Sequence, residues 1–203
     1  MGSPFPPAFG SATTWLMKWN IPNTLTVLRL FAAPGVAVMF LYFHRPWADW
    51  FALTLFVGAA VTDWFDGYLA RLWKQESKFG AMLDPIADKA MVVIAIMVLT
   101  GYSGMNPWLI LPATVILFRE VFVSGLREFL GAKAGLLKVT KLAKWKTTLQ
   151  IICLGALILG KATPWWVADL GGYVVNVPHT VGLTTLWAAA ALTLITGWDY
   201  LRV

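Results

Sequence analysis

Between residues 63 and 88 four aspartates, Asp63, Asp66, Asp84 and Asp88, stand at intervals that allow them to act together. Residues three or four apart share one helical face. Asp63, Asp66, Gly67, Ala70 and Arg71 therefore form a single stripe, and Gly80, Asp84 and Asp88 form another on the next helix. A short polar connection turns the chain back so that the stripes face each other. Carboxylates that close in a low dielectric repel unless some are protonated or cations lie among them. Two divalent ions would balance four charges, and hard oxygen ligands favour Mg²⁺, with Mn²⁺ as its chemical neighbour. Metal pairs held in this way clamp a pyrophosphate and stabilise its leaving oxygen during phosphoryl transfer. An attacking alcohol also needs a base, and Asp88, last on its stripe, is the candidate.

The small residues on these stripes have two readings. Gly67, Ala70 and Gly80 leave room for a bulky group to approach the backbone, or they serve close helix packing in a membrane. Arg71 either snorkels to the interface or clamps a substrate phosphate, and its place on the acidic stripe favours the clamp. A second group of charges lies downstream: Arg119 and Arg127, eight residues apart on one face, and Lys144 and Lys146. Cations beside a metal site suit an acceptor that is itself a phosphate. Lys144 and Lys146 equally serve as topology signals, and Arg119 with Glu120 equally forms an internal pair that orders its helix.

The elements that must position these residues are apolar. Hydrophobic residues make up 59% of the 203-residue chain, and the mean hydropathy is +0.69, more than a soluble core requires. Stretches able to cross a hydrocarbon layer of roughly 30 Å fall near 24–44, 48–71, 83–102, 107–130, 146–163 and 180–201. The expected fold is an all-α membrane protein with six transmembrane helices. Residues 1–20 are expected to be a Pro-rich tail with a short interfacial helix over Thr14–Trp19, ahead of the membrane domain over 21–203. No cleavable signal pattern opens the chain.

Lys and Arg concentrate in the second-to-third connection (Arg71, Lys74, Lys78) and in the fourth-to-fifth (Lys133 through Lys146). Positive connections stay in the cytoplasm, so both termini and the aspartates are expected there. The net charge of +6 then lies on one face, suited to anionic lipids and phosphorylated substrates rather than nucleic acid. The lone Cys153 excludes an intramolecular disulfide and reads as packing. His44 and His179 are expected in connections away from the aspartates, and the many tryptophans fit interfacial belts.

The run D-x2-D-G-x2-A-R-x8-G-x3-D-x3-D, complete from Asp63 to Asp88, resembles that of the CDP-alcohol phosphotransferases. The resemblance implies six transmembrane helices, a homodimer, a dinuclear metal site and release of CMP. It makes Asp63, Asp66 and Asp84 metal ligands, with Asp88 both proton acceptor and contact to the second ion. It places the CDP-lipid against Asp63, Gly67, Ala70, Arg71, Ser77 and Gly80, and also against Thr26 and Arg29 in the opening of the first helix. For these last two a helix cap and an interfacial Arg are the plainer alternatives.

The similarity continues through Arg119-Glu120, Leu126-Arg127-Glu128 and Lys144-x-Lys146-Thr147-Thr148. Over this longer stretch it implies CDP-diacylglycerol as donor, sn-glycerol 3-phosphate as acceptor, and a bacterial inner (cytoplasmic) membrane location with the site facing the cytoplasm. Arg119, Arg127, Lys144 and Lys146 would bind the acceptor phosphate. Inositol phosphate is the nearest rival acceptor. A cation transporter, the alternative of another class, would spread its charge through the depth of several spans, whereas here the acids gather at one end.

Overall fold

A computed structural model describes residues 21–73, 78–130, 141–169 and 171–201. The expected interfacial helix before residue 21, Ser77, and the basic stretch 131–140 lie outside the described residues. Each of the six apolar stretches lies in a helix: α1 (Ile21–Tyr42), α2 (Trp47–Trp73), α3 (Lys78–Gly101), α4 (Pro107–Leu130), α5 (Lys141–Ala162) and α6 (Val177–Leu201). The helices α3 and α5 each begin five residues before their expected spans. Lys78 and Lys144 are therefore helical rather than in connections, and Gly80 shares the helix of Asp84 and Asp88 as expected.

Local chemistry sets several of these boundaries. Pro107 and Pro178 fall in first turns, where a missing N–H costs nothing. Asn106 accepts from the Trp108 backbone N–H at 3.0 Å, and Asn176 accepts from that of His179 at 2.9 Å, each satisfying an otherwise orphaned donor. His179 is thus in the first turn of α6, not in the connection as expected; Asn176 starts the helix ahead of it. The connection itself contains a feature its Gly and Pro content did not reveal. Strand β1 (Val167–Asp169) pairs antiparallel with β2 (Val174–Asn176), Val167 opposite Asn176. Gly171 and Gly172 close the turn at φ of 66° and 95°, a region glycine enters without a Cβ clash.

The helix α1 packs on α2 and α3, while α6 lies against α5 and α4, and α2 joins the two groups through α5. Phe56, Ile116, Leu154, Leu157, Ile158 and Leu186 fill the centre, and Cys153 is buried among them as expected of a packing residue. Small residues set the closest approach. A Cβ on Gly160 would lie 2.8 Å from the His179 backbone, and one on Gly182 would lie 2.7 Å from Leu157. The helices α5 and α6 therefore touch through their glycines, a common solution where helices associate in lipid.

Three of these helices are long and apolar enough to cross a membrane by composition alone, over Asn23–Tyr42, Pro107–Leu126 and Val177–Gly197. The others are of similar length, but α2, α3 and α5 carry the charges of interest: Asp63 and Asp66, Asp84 and Asp88, and Lys144 and Lys146.

Candidate active site

Near its start α1 presents Thr26 and Arg29, one turn apart. Both are buried. The Thr26 hydroxyl donates to Asp84 Oδ1 at 2.7 Å, and Arg29 Nη1 donates to Asp88 Oδ1 at 3.0 Å. The spacing of three on α1 thus meets a spacing of four on α3, forming two successive rungs between helices that run in the same direction. The same Nη1 also forms an ion pair with Asp63 Oδ1 of α2. One guanidinium therefore draws carboxylates from two helices together. A buried arginine without such partners would carry a large desolvation penalty.

Asp63 and Asp88 keep 40% and 44% of their side-chain surface exposed. They are held on one side by Arg29 and remain open on the other to a cavity of about 340 Å³. Pro85, between Asp84 and Asp88, also lines it. Its ring supplies no N–H to the helix ladder.

The expected site residues divide into those the structure brings together and those it does not describe. Asp63, Asp84, Asp88, Thr26 and Arg29 assemble where α1, α2 and α3 meet, with Gly80 buried one turn before Asp84. Asp66, Gly67, Ala70 and Arg71 lie farther along α2, and their side chains are outside the described residues. Among the described residues, no three carboxylates or other donors form a ready-made metal shell. The donors nevertheless fit a hard divalent cation. They are carboxylate oxygens, open to the cavity, and already gathered round a positive group at Arg29.

Further charged groups line the same cavity. Arg119 of α4 and Lys146 of α5, both buried, line it together with Glu120. Lys146 forms an ion pair with Glu120 Oε1, and Arg119 Nη1 approaches the same oxygen at 3.5 Å. Arg119 Nη2 also reaches Thr196 of α6 at 3.5 Å. Two of the four expected cations are thus in one place, and Glu120, read from sequence only as a helix-ordering partner of Arg119, engages both. Arg127 falls within α4 and Lys144 within α5, their side chains outside the described residues.

Three further polar groups on this cavity were not anticipated. Lys89 Nζ bonds Ser124 Oγ at 2.5 Å, and Gln150 is buried on α5. Two sequence signals point to them: Lys89 is an intramembrane cation directly after Asp88, and Gln150 follows Lys146 by four residues on the same face. A single chamber is therefore lined by the carboxylates of Asp63, Asp88 and Glu120 together with the cations Arg29, Lys89, Arg119 and Lys146. That arrangement can hold an anionic acceptor against a metal-dependent phosphoryl donor.

Comparison with known proteins agrees with this chemistry. The chain is 66% identical to the CDP-diacylglycerol–glycerol-3-phosphate 3-phosphatidyltransferase of Cereibacter sphaeroides, covering 92% of this chain and 96% of the relative. Proteins of the same name from Rickettsia bellii and Pectobacterium atrosepticum are 42% and 38% identical, each over at least 90% of both chains. The family description that matches residues 19–195 is CDP-alcohol phosphatidyltransferase. With that match across most of its length, this chain belongs to the CDP-alcohol phosphatidyltransferase family, a family of membrane-associated and generally divalent-metal-dependent enzymes.

Proposed function

We propose that this chain transfers the phosphatidyl group of CDP-diacylglycerol to the primary hydroxyl of sn-glycerol 3-phosphate, forming phosphatidylglycerophosphate and releasing CMP. The observation that carries the reading is one cavity lined both by Asp63 and Asp88 and by Arg119 and Lys146. A phosphate on the acceptor can add to the charge-assisted contacts of those cations, and a serine or choline acceptor offers no phosphate to make them. The names of the relatives, at identities up to 66%, point to the same donor and acceptor.

Asp63, Asp66, Asp84 and Asp88 would hold two Mg²⁺ ions, with Mn²⁺ as a substitute. Bound there, the metal supplies charge neutralisation at the pyrophosphate and Lewis-acid polarisation of the attacked phosphorus. Asp88 takes the proton of the acceptor hydroxyl as its oxygen bonds to the phosphatidyl phosphorus. The bond from that phosphorus to the bridging oxygen breaks, and CMP leaves with the electron pair. Thr26 and Arg29 orient Asp84, Asp63 and Asp88 and lie beside the nucleotide path. Gly67, Ala70, Arg71, Ser77 and Gly80 receive the CDP portion. Arg119, Arg127, Lys144 and Lys146 hold the acceptor phosphate, while Glu120 fixes the positions of Arg119 and Lys146.

The proposal includes six membrane crossings, with the aspartates at the cytoplasmic side of a bacterial inner membrane, and a homodimeric assembly. Helices of 22 to 27 residues are roughly 33 to 40 Å long, enough to cross with some tilt. Exposed Phe31, Phe51, Met97, Phe118, Ile152 and Leu194 give each helix a lipid-compatible outer face.

The test is CMP release from CDP-diacylglycerol by the purified protein with Mg²⁺, supplied in turn with glycerol 3-phosphate, inositol phosphate or serine, and with Asp88→Asn as control. Release with glycerol 3-phosphate alone is expected. Preference for another alcohol would overturn the acceptor assignment while leaving the donor chemistry.

A further inference from the structure

Asp49 lies fourteen residues before Asp63 on α2, about 21 Å away along the helix. It lines a second cavity of about 420 Å³ at the other end of the bundle, where the α1–α2 connection meets the end of α5 and the start of α6. Arg45, Lys161 and His179 share that lining. Asp49 is only 1% exposed, yet its Oδ1 has no hydrogen-bond partner among the described residues. Arg45 is 3.7 Å from that oxygen, an ion pair too long to count as a hydrogen bond.

The two cations are held in place from behind. The Arg45 guanidinium sits 4.9 Å from the centre of the Tyr102 ring, and Lys161 Nζ donates to the Tyr102 carbonyl at 3.2 Å. Each still has donors to offer, since a guanidinium carries five N–H groups and an ammonium three. A buried carboxylate oxygen without a donor is costly. The occupant that completes this cavity therefore supplies an anion to Arg45 and Lys161 and a hydrogen-bond donor to Asp49.

The surroundings identify the class of molecule. Trp47, Trp165, Trp166 and Tyr173 are all exposed at this end of the bundle, and such rings settle at the headgroup level of a membrane. We propose that this cavity is a phospholipid-headgroup site, separate from the catalytic chamber. It takes a phosphodiester on Arg45 and Lys161 and, on Asp49, a donor a few atoms farther along the headgroup. The ethanolamine ammonium and the glycerol hydroxyl both meet that requirement. A quaternary choline does not.

Native mass spectrometry of the full chain, titrated in detergent with dioleoyl-phosphatidylethanolamine, -phosphatidylglycerol or -phosphatidylcholine, tests the site. The first two are expected to bind roughly tenfold more tightly than the third, the factor for one lost charge-assisted hydrogen bond. Whichever of the first two binds more tightly identifies the donor as ammonium or hydroxyl. Asp49→Ala should erase the preference over phosphatidylcholine, and Lys161→Gln should weaken all three lipids. Equal binding of all three by the unaltered protein would overturn the proposal, as would an Asp49→Ala protein that keeps the preference. If Asp49→Ala does not fold, Lys161→Gln decides: unchanged lipid binding by a variant with an unaltered melting temperature would equally reject the site.

Discussion

Lys146 of α5 is ion-paired to Glu120 of α4 inside the cavity that also contains Asp63 and Asp88. In a buried pair each charge depends on the other, because removing one leaves its partner desolvated and uncompensated. Glu120→Gln is expected to destabilise the protein by about 3 kcal/mol and to raise the KM for glycerol 3-phosphate. Adding Lys146→Met should restore much of the stability but not the acceptor KM. Thermal unfolding and steady-state kinetics on the single and double variants separate these outcomes. Recovery of both stability and KM in the double variant would reduce the pair to a structural role.

Asp88 accepts from Arg29 at 3.0 Å while facing the cavity, a position from which it can take a proton from a bound hydroxyl. Asp88→Asn preserves shape and removes the base, so turnover should fall by about 10²- to 10⁴-fold. Binding of CDP-diacylglycerol, measured separately by equilibrium titration, should change little. Equal loss of donor affinity would assign Asp88 to holding the donor instead.

The parts of this arrangement that were legible from sequence are those written in local periodicity. Six apolar stretches gave six helices, and the spacings within Asp63–Asp88 singled out Asp63 and Asp88, which meet at Arg29. The links between helices were less legible. Thr26 and Arg29 read as nucleotide contacts, or else as a cap and an interfacial Arg, but their bonds to Asp84 and Asp88 depend on the register of α1 against α3. The tie between Glu120 and Lys146, twenty-six residues away, is likewise set by how α4 and α5 meet. The β1–β2 hairpin escaped because three-residue strands carry almost no periodic signal, although two adjacent glycines between Val-containing segments are a recognised turn cue.

Close packing of α5 on α6 gives a prediction independent of catalysis. Gly160→Ala would bring a methyl within 2.8 Å of His179 backbone, whereas at Gly58 an added methyl meets nothing within 4 Å. The first substitution should cost about 1 to 3 kcal/mol through overpacking. The second should be neutral or slightly stabilising, because alanine is the better helix former. Melting temperatures of the two variants in one detergent check this. Similar values for both would mean that α5 and α6 separate easily.

Arg29 supplies the positive charge shared by Asp63 and Asp88, which makes its removal informative about the metal. Arg29→Ala leaves the two carboxylates facing each other with less compensation, and like charges at that separation destabilise the fold. Divalent cations then have more repulsion to relieve. Stabilisation by a ligand that binds the folded state grows with its concentration relative to its dissociation constant. Mg²⁺ should therefore raise the melting temperature of Arg29→Ala by more than that of the unaltered protein, even though the variant starts lower. Arg29→Lys, which retains a charge but lacks the fork that spans two carboxylates, should fall between them. A Mg²⁺ response of the same size in all three proteins would separate Arg29 from the metal site and leave it as a structural clamp between α1, α2 and α3.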